Sequence, residues 1–207
     1  MSESGGPHRT RQQERTERST NALLTAASDL IVEGGLDSLT FATIGERAGY
    51  SRGLVTARFG NKEGLIEALI DRILATWSRR EAGPASETEP GRAEVIRLLE
   101  ASRAKTESDR AGLMVLHALM FEAGSDPMLR RRFADYHESM RTVFETAVRR
   151  GKRDGSIAAG TNPRREGALI VAALQGIAYQ WQLDGDRFDP ADALRYLIAT
   201  TEARLRP

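Results

Sequence analysis

Apolar positions along this chain recur at three- and four-residue intervals and form no convincing run of alternation with polar ones, so the pattern predicts helices and no strands. From about Arg11 to Glu33, the residues Leu23, Ala27, Leu30 and Ile31 share helical spacing, and Gly34-Gly35 supplies the left-handed stop that other residues resist. Two short segments follow, about Phe41–Ala48 and Arg52–Phe59. A longer helix is expected from about Lys62 to Arg80, opened by Asn61 as its cap and carrying Leu65, Ile66, Leu69, Ile70, Ile73, Leu74 and Trp77. Farther on, Asp126-Pro127, Asn162-Pro163 and Asp189-Pro190 each pair a capping side chain with a proline at the first helical position. Two more helices fall near Ala93–Thr106 and Asp109–Ala123, which makes the chain all-α with about nine helices.

Between Ala82 and Gly91 the composition changes to Gly, Pro, Ser, Thr and Glu, which cannot continue a helix and reads as a connection. The expected organisation is a disordered tail over 1–8, a helical head over 9–62, and a C-terminal domain over 63–207 that includes the fourth helix. A chain of 207 residues buries a sizeable core without covalent staples. It has no cysteine, which removes disulfides, thiolate metal sites and cysteine nucleophiles and fits a reducing cytoplasm. The first seven residues show no secretory pattern. The longest apolar run, Ala168 to Leu174, is seven residues, against the roughly 20 that a bilayer crossing needs, so no membrane partner is expected.

Net charge does not separate the function classes. Residues 1–62 hold 8 Lys/Arg and 7 Asp/Glu, and the remainder holds 22 of each. A nucleic-acid argument must therefore rest on where particular residues sit. The stretch from Thr40 to Phe59 offers one, because two short helices joined by a tight turn hold a fixed angle only if certain positions are small or apolar. Gly45 lets the second helix approach the first, Gly49 sits where the turn wants positive φ, and Ile44, Ala48 and Val55 face inward. Thr40 caps the first short helix and Ser51 the second. The outer face of the second helix would then present Arg52, Gly53, Thr56, Ala57 and Arg58 to a major groove, with Thr40, Ser51 and Lys62 near phosphates. Arg47, beside Glu46, reads as a solvated surface residue. A plain helix-turn-helix packing unit that never touches DNA has the same pattern.

The residues Leu23, Ala26-Ala27, Leu30, Gly34, Leu39-Thr40, Ile44, Glu46, Ala48 to Gly53 and Phe59 to Leu65 together resemble the TetR family of bacterial repressors, over roughly residues 20–70. The resemblance implies a three-helix DNA-binding head, a fourth helix linking it to an effector domain, a homodimer, and a palindromic double-stranded operator. Repression is likewise what the resemblance implies. The chain departs from the family pattern in having Thr56 and Ala57 where an aromatic pair is common, and Gly45 where alanine is common, at a helix-propensity cost under about 1 kcal/mol.

In the C-terminal part, the segment from about Arg164 to Leu183 is apolar nearly all round and needs cover on both sides. Its small residues Ala168, Ala172 and Gly176 repeat every four positions, and the last helix adds Leu194, Ile198 and Thr201. These six are the expected dimer interface, in a four-helix arrangement with a second copy. The core of a monomeric domain is the alternative. The middle helices hold Met114, His117, Phe121, Tyr136, Met140 and Phe144, joined by Gln175 and Tyr179, a mixture suited to a small-molecule effector cavity and equally to a plain core.

His137 lies in the same stretch, but two histidines without cysteine or a paired-histidine helix motif predict no metal, and no cofactor is expected. The basic clusters Arg130-Arg131-Arg132 and Arg149-Arg150 with Lys152-Arg153 read as solvated helix ends. No phosphate loop or nucleophile elbow points to an enzyme. A DNA-binding protein whose C-terminal domain recruits a protein partner is the remaining rival.

Overall fold

The structure is a computed structural model, and it describes residues 11–78 and 89–207. The expected tail, most of the expected connection and the side chain of Trp77 lie outside the described residues. Among those described, nine α-helices and two 3-10 turns account for the regular structure, and there is no strand. The chain divides into two compact units, one ending at Arg72 and the other running from Ile73 to Pro207.

The first unit contains α1 (Arg11–Gly34), α2 (Phe41–Ala48), α3 (Arg52–Phe59) and most of α4 (Lys62–Ser78). Leu23, Ala27, Ile44, Val55, Leu65 and Leu69 are withdrawn from solvent at its centre. Local chemistry fixes each helix end. Thr40 and Thr43 form a reciprocal capping box on α2, Ser51 accepts from the Leu54 N–H at 3.2 Å on α3, and Asn61 accepts from the Gly64 N–H at 2.9 Å on α4. Gly49 closes α2 at φ 74°, a left-handed conformation that glycine adopts without steric cost. A Cβ at Gly45 would come within 2.8 Å of the Tyr50 carbonyl oxygen, so the turn between α2 and α3 is as tight as the spacing demands. Arg72 of α4 clamps α1, donating to the Leu24 carbonyl at 2.9 Å, Thr25 Oγ1 at 3.0 Å and Ser28 Oγ at 2.6 Å.

The second unit is built from α5 (Gly91–Ser108), α6 (Arg110–Glu122), α7 (Pro127–Asp154), α8 (Pro163–Asp184) and α9 (Pro190–Leu205). The three Asx-Pro starts are realised: Asp126, Asn162 and Asp189 each accept backbone N–H groups of the helix they open. The core joins Val95, Leu98 and Leu99 of α5 to Phe144 and Val148 of α7, Ile170 and Leu174 of α8, and Leu194 and Ile198 of α9. Ion pairs cross the same helices, Arg204 to Glu166 at 2.9 Å and Arg150 to Glu94 at 3.4 Å. Several cations of the basic clusters secure chain ends: Arg130 donates to the carbonyls of Ala123 and Gly124 past α6, and Lys152 to the Thr161 carbonyl. No helix among the described residues is long and apolar enough to cross a membrane.

Candidate nucleic-acid interface and effector site

The outer face of α3 is built by what holds its inner face. Val55 is fully buried, and the cap at Ser51 fixes where the helix begins, which turns Arg52, Gly53, Thr56 and Ala57 to solvent together. Thr56 bonds back to the Arg52 carbonyl at 3.1 Å, so its hydroxyl is held against the helix and its methyl is the outward group. Thr40 and Ser51 are exposed, each using its hydroxyl as a cap. Lys62 is exposed at the start of α4, with Nζ 3.3 Å from the Leu36 carbonyl.

Arg58 does not share that face. It is half-buried and donates to Ser19 Oγ of α1 at 3.2 Å, with its Nε enclosed and unpartnered. It therefore braces α3 on α1, because at six positions past Arg52 the helix has carried the side chain round to the inner edge. Arg47 is also engaged: it grips the Glu33 carboxylate through both terminal nitrogens at 2.8 and 2.7 Å. That pairing pushes the Glu33 carboxyl below its ordinary range and raises the guanidinium, chiefly through the hydrogen bonds.

In the second unit, side chains of α6, α7 and α8 converge on Gln175. Its Oε1 lies 3.3 Å from His117 Nε2, and its Nε2 lies 3.9 Å from the Met140 sulfur. Tyr136 turns its hydroxyl toward the same amide without completing a hydrogen bond. His137 lies against the Tyr136 ring at 5.4 Å between centroids, and Tyr179 meets His117 edge-on at 6.1 Å. Three enclosed polar atoms in this group have no partner: His117 Nδ1, Tyr136 Oη and His137 Nε2. Burial raises the Tyr136 hydroxyl well above its ordinary pKa and lowers His137, where Arg141 and His117 add to the effect.

Of the eight expected effector residues, five thus come together: His117, Tyr136, Met140, Gln175 and Tyr179. Met114 is half-buried on α6. Phe144 belongs instead to the apolar core, packed among Val95, Leu99 and Ile170. Phe121 is 82% exposed at the end of α6 and lines nothing within the protomer. His137 completes the group, and its position one residue after Tyr136 was the signal for it. An open surface hollow of about 490 Å³ lies elsewhere, between Glu89, Arg150, Arg153 and Ser156, and contains none of these side chains.

Residues 23–69 match the family model described as bacterial regulatory proteins of the tetR family, and residues 91–206 match the C-terminal domain of BetI-type transcriptional repressors. The chain belongs to the TetR family. It is 30% identical over 178 residues to the HTH-type transcriptional regulator BetI of Paraburkholderia phymatum, covering 84% of this chain and 86% of that one. Two solved structures share the fold. One is a transcriptional regulator from Saccharomonospora viridis in complex with choline, with TM-score 0.79, 17% identity, and 92% and 99% of the two chains covered. The other is the triclosan complex of SmeT, a Stenotrophomonas maltophilia repressor, with TM-score 0.80, 18% identity, and 92% of each chain covered. As a TetR-family member, the protein is a transcriptional regulator with a DNA-binding helix-turn-helix, and its relatives are regulators, not enzymes.

Within this TetR-family C-terminal unit, the six residues expected at a dimer face divide by exposure. Ala168 and Ala172 are exposed, and open space surrounds the position a Cβ would take on half-buried Gly176. Leu194, Ile198 and Thr201 are buried in their own protomer, two of them in the core with α5 and α7. They are not available to another chain. The outward stripe of α9 is Tyr196, Ala199 and Ala203, and that of α8 also includes Leu169, Tyr179 and Leu183. At 100° per residue the outward positions of α8 fall within an arc of about 120°.

Proposed function

We propose that the protein is a ligand-responsive repressor that binds a palindromic operator as a homodimer and releases it when a small amphipathic molecule occupies the group around Gln175. The observation that carries the operator half of this reading is the exposed row Arg52, Gly53, Thr56 and Ala57 on a helix whose other side is locked by Val55 and Arg58. Arg52 has the reach for phosphate or guanine, and the Thr56 and Ala57 methyl groups suit a thymine methyl. A single such helix reads a few base pairs. Two of them set one helical turn apart, about 34 Å, read a palindrome with multiplied affinity.

The second copy is supported by the small and apolar stripes of α8 and α9, whose alanines and Gly176 allow helices to approach closely and whose Tyr196 is 72% exposed in the protomer. The effector half is supported by the unpartnered buried polar atoms between α6, α7 and α8, and by the small molecules bound in the choline and triclosan complexes of structural relatives. Release follows if the effector prefers a dimer whose heads no longer match the groove spacing.

Selection of bound duplexes from random DNA by the purified protein tests this. A palindromic consensus with two half-sites about one turn apart is the expected outcome, and no enrichment over bulk competitor at moderate salt overturns it.

A further inference from the structure

Resting on the operator reading above, the composition of the exposed row on α3 also specifies what that row reads. Gly53 is exposed in ordinary helical backbone, and a Cβ built there would meet only Ser51 Oγ at 3.7 Å, an ordinary contact. Nothing inside the protomer requires glycine at this position. Gly45 and Gly64 of the same unit differ, because a Cβ on either would collide with a backbone carbonyl oxygen, of Tyr50 and of Phe59. Glycine is a poor helix former, and bare backbone on an exposed helix face is of use where another surface comes close. Thr56 and Ala57 stand three and four residues on from Gly53, so the three share one patch of the outward face, and no side chain in it is larger than threonine.

The Thr56 hydroxyl donates its one hydrogen to the Arg52 carbonyl at 3.1 Å, which leaves none for guanine O6, guanine N7 or thymine O4, all of them acceptors. We infer that Gly53 lets the backbone of α3 approach the base edges and that the methyl groups of Thr56 and Ala57 pack on the C5 methyl of a thymine in each half-site. That methyl group is exposed in the major groove and is absent from cytosine, so contact with it carries sequence information without a hydrogen bond. The exposed Arg52, one residue before Gly53, is the polar contact beside the patch. The Thr56 oxygen keeps lone pairs for an adenine or cytosine amino group, and readout by that route predicts the opposite ranking of serine and valine at this position.

The experiment uses the full chain and the duplex it selects, with fluorescence polarisation of labelled operator at fixed salt as the affinity readout. Deoxyuridine replaces thymine at one position at a time in both half-sites, which removes the C5 methyl and leaves every hydrogen-bonding group in place. At one such position the replacement should weaken binding about tenfold, since each half-site loses a buried methyl contact. Thr56→Ser, which keeps the hydroxyl and loses the methyl, should bind the thymine duplex about tenfold more weakly than Thr56→Val, which does the reverse. The preference for thymine over uracil should also be smaller in Thr56→Ser than in Thr56→Val. Gly53→Ala should weaken operator binding about tenfold with no fall in the thermal unfolding midpoint, which separates loss of close approach from loss of the fold. Half-sites selected without thymine, no penalty for uracil at any position, a serine variant that binds more tightly than the valine one, or a Gly53→Ala variant that binds as tightly as the parent overturns the methyl reading. Failure to form any operator complex is a separate result that overturns the regulator reading itself.

Discussion

Around the helix-turn-helix, polar side chains close on the protein: Thr40 on Thr43, Ser51 on Leu54, Arg47 on Glu33, Arg58 on Ser19, Arg72 on α1. In the C-terminal unit, His117, Tyr136 and His137 bury polar atoms that close on nothing. The first unit spends its hydrogen bonds on making one surface rigid, so that recognition requires no rearrangement when a duplex arrives. The second leaves buried polar atoms unpartnered, a cost that the proposed effector would relieve. A regulator needs both: a reader that keeps its shape, and a sensor whose state changes with occupancy.

The sharpest way to break the comparison is through the opposite faces of α8 and α9, because on each helix one is core and the other is the proposed contact with a second copy. Ala172→Arg on α8 places a charge in the small-residue stripe and should yield a folded monomer by sedimentation, with operator affinity down about 100-fold. Leu194→Ala should leave the dimer mass unchanged and remove about 2–5 kcal/mol from the stability of the C-terminal unit, read by denaturant. If Leu194→Ala dissociated the protein without that loss, or Ala172→Arg remained a dimer, the assignment of faces would be wrong.

The next effect separates two arginines of the recognition helix. Arg52→Ala should weaken operator binding about tenfold and reduce the slope of log affinity against log salt by about one, since it removes a phosphate-range cation. Arg58→Ala should leave that slope unchanged and cost about 1 kcal/mol of stability, because its guanidinium bonds to Ser19. Identical salt slopes for the two variants would erase the distinction between reader and brace.

Sequence reasoning located every α-helix among the described residues, and it did so because caps, glycines and prolines act locally: Asn162-Pro163 opens a helix whatever packs on it. The same holds for the turn at Gly49. It did not separate the faces of α8 and α9, where apolar residues surround the axis and periodicity no longer points one way. Leu194, Ile198 and Thr201 have the same spacing as an interface row and turn out to be buried in the protomer; Tyr196, Ala199 and Ala203 form the outward row. Phe144 went to the core and Phe121 to solvent for a related reason, since an aromatic residue on a middle helix says nothing of which neighbour it meets. Arg58 and Arg72 were illegible too, being held by residues of α1 about 40 or more positions away. The proposed effector group around Gln175 was largely legible because polar residues in an apolar stretch are few.

The smallest effect tests whether the C-terminal unit really carries an uncompensated polar cost. Burial first, then Arg141 and His117, hold the His137 pKa below its ordinary value. The unfolded chain therefore takes up this proton before the folded one does. Stability contributed by the neutral ring is complete above about pH 6.5, the ordinary histidine value, and is lost as pH falls from there through the depressed folded value. Glu33, whose carboxyl is also lowered, acts in the same direction but only near its own, more acidic range, so the windows separate. Denaturant midpoints between about pH 7.5 and 5.5 should fall in the parent protein and fall less in His137→Gln. An equal slope in parent and variant would mean that His137 is solvated, and the group around Gln175 would lose its third unpartnered atom.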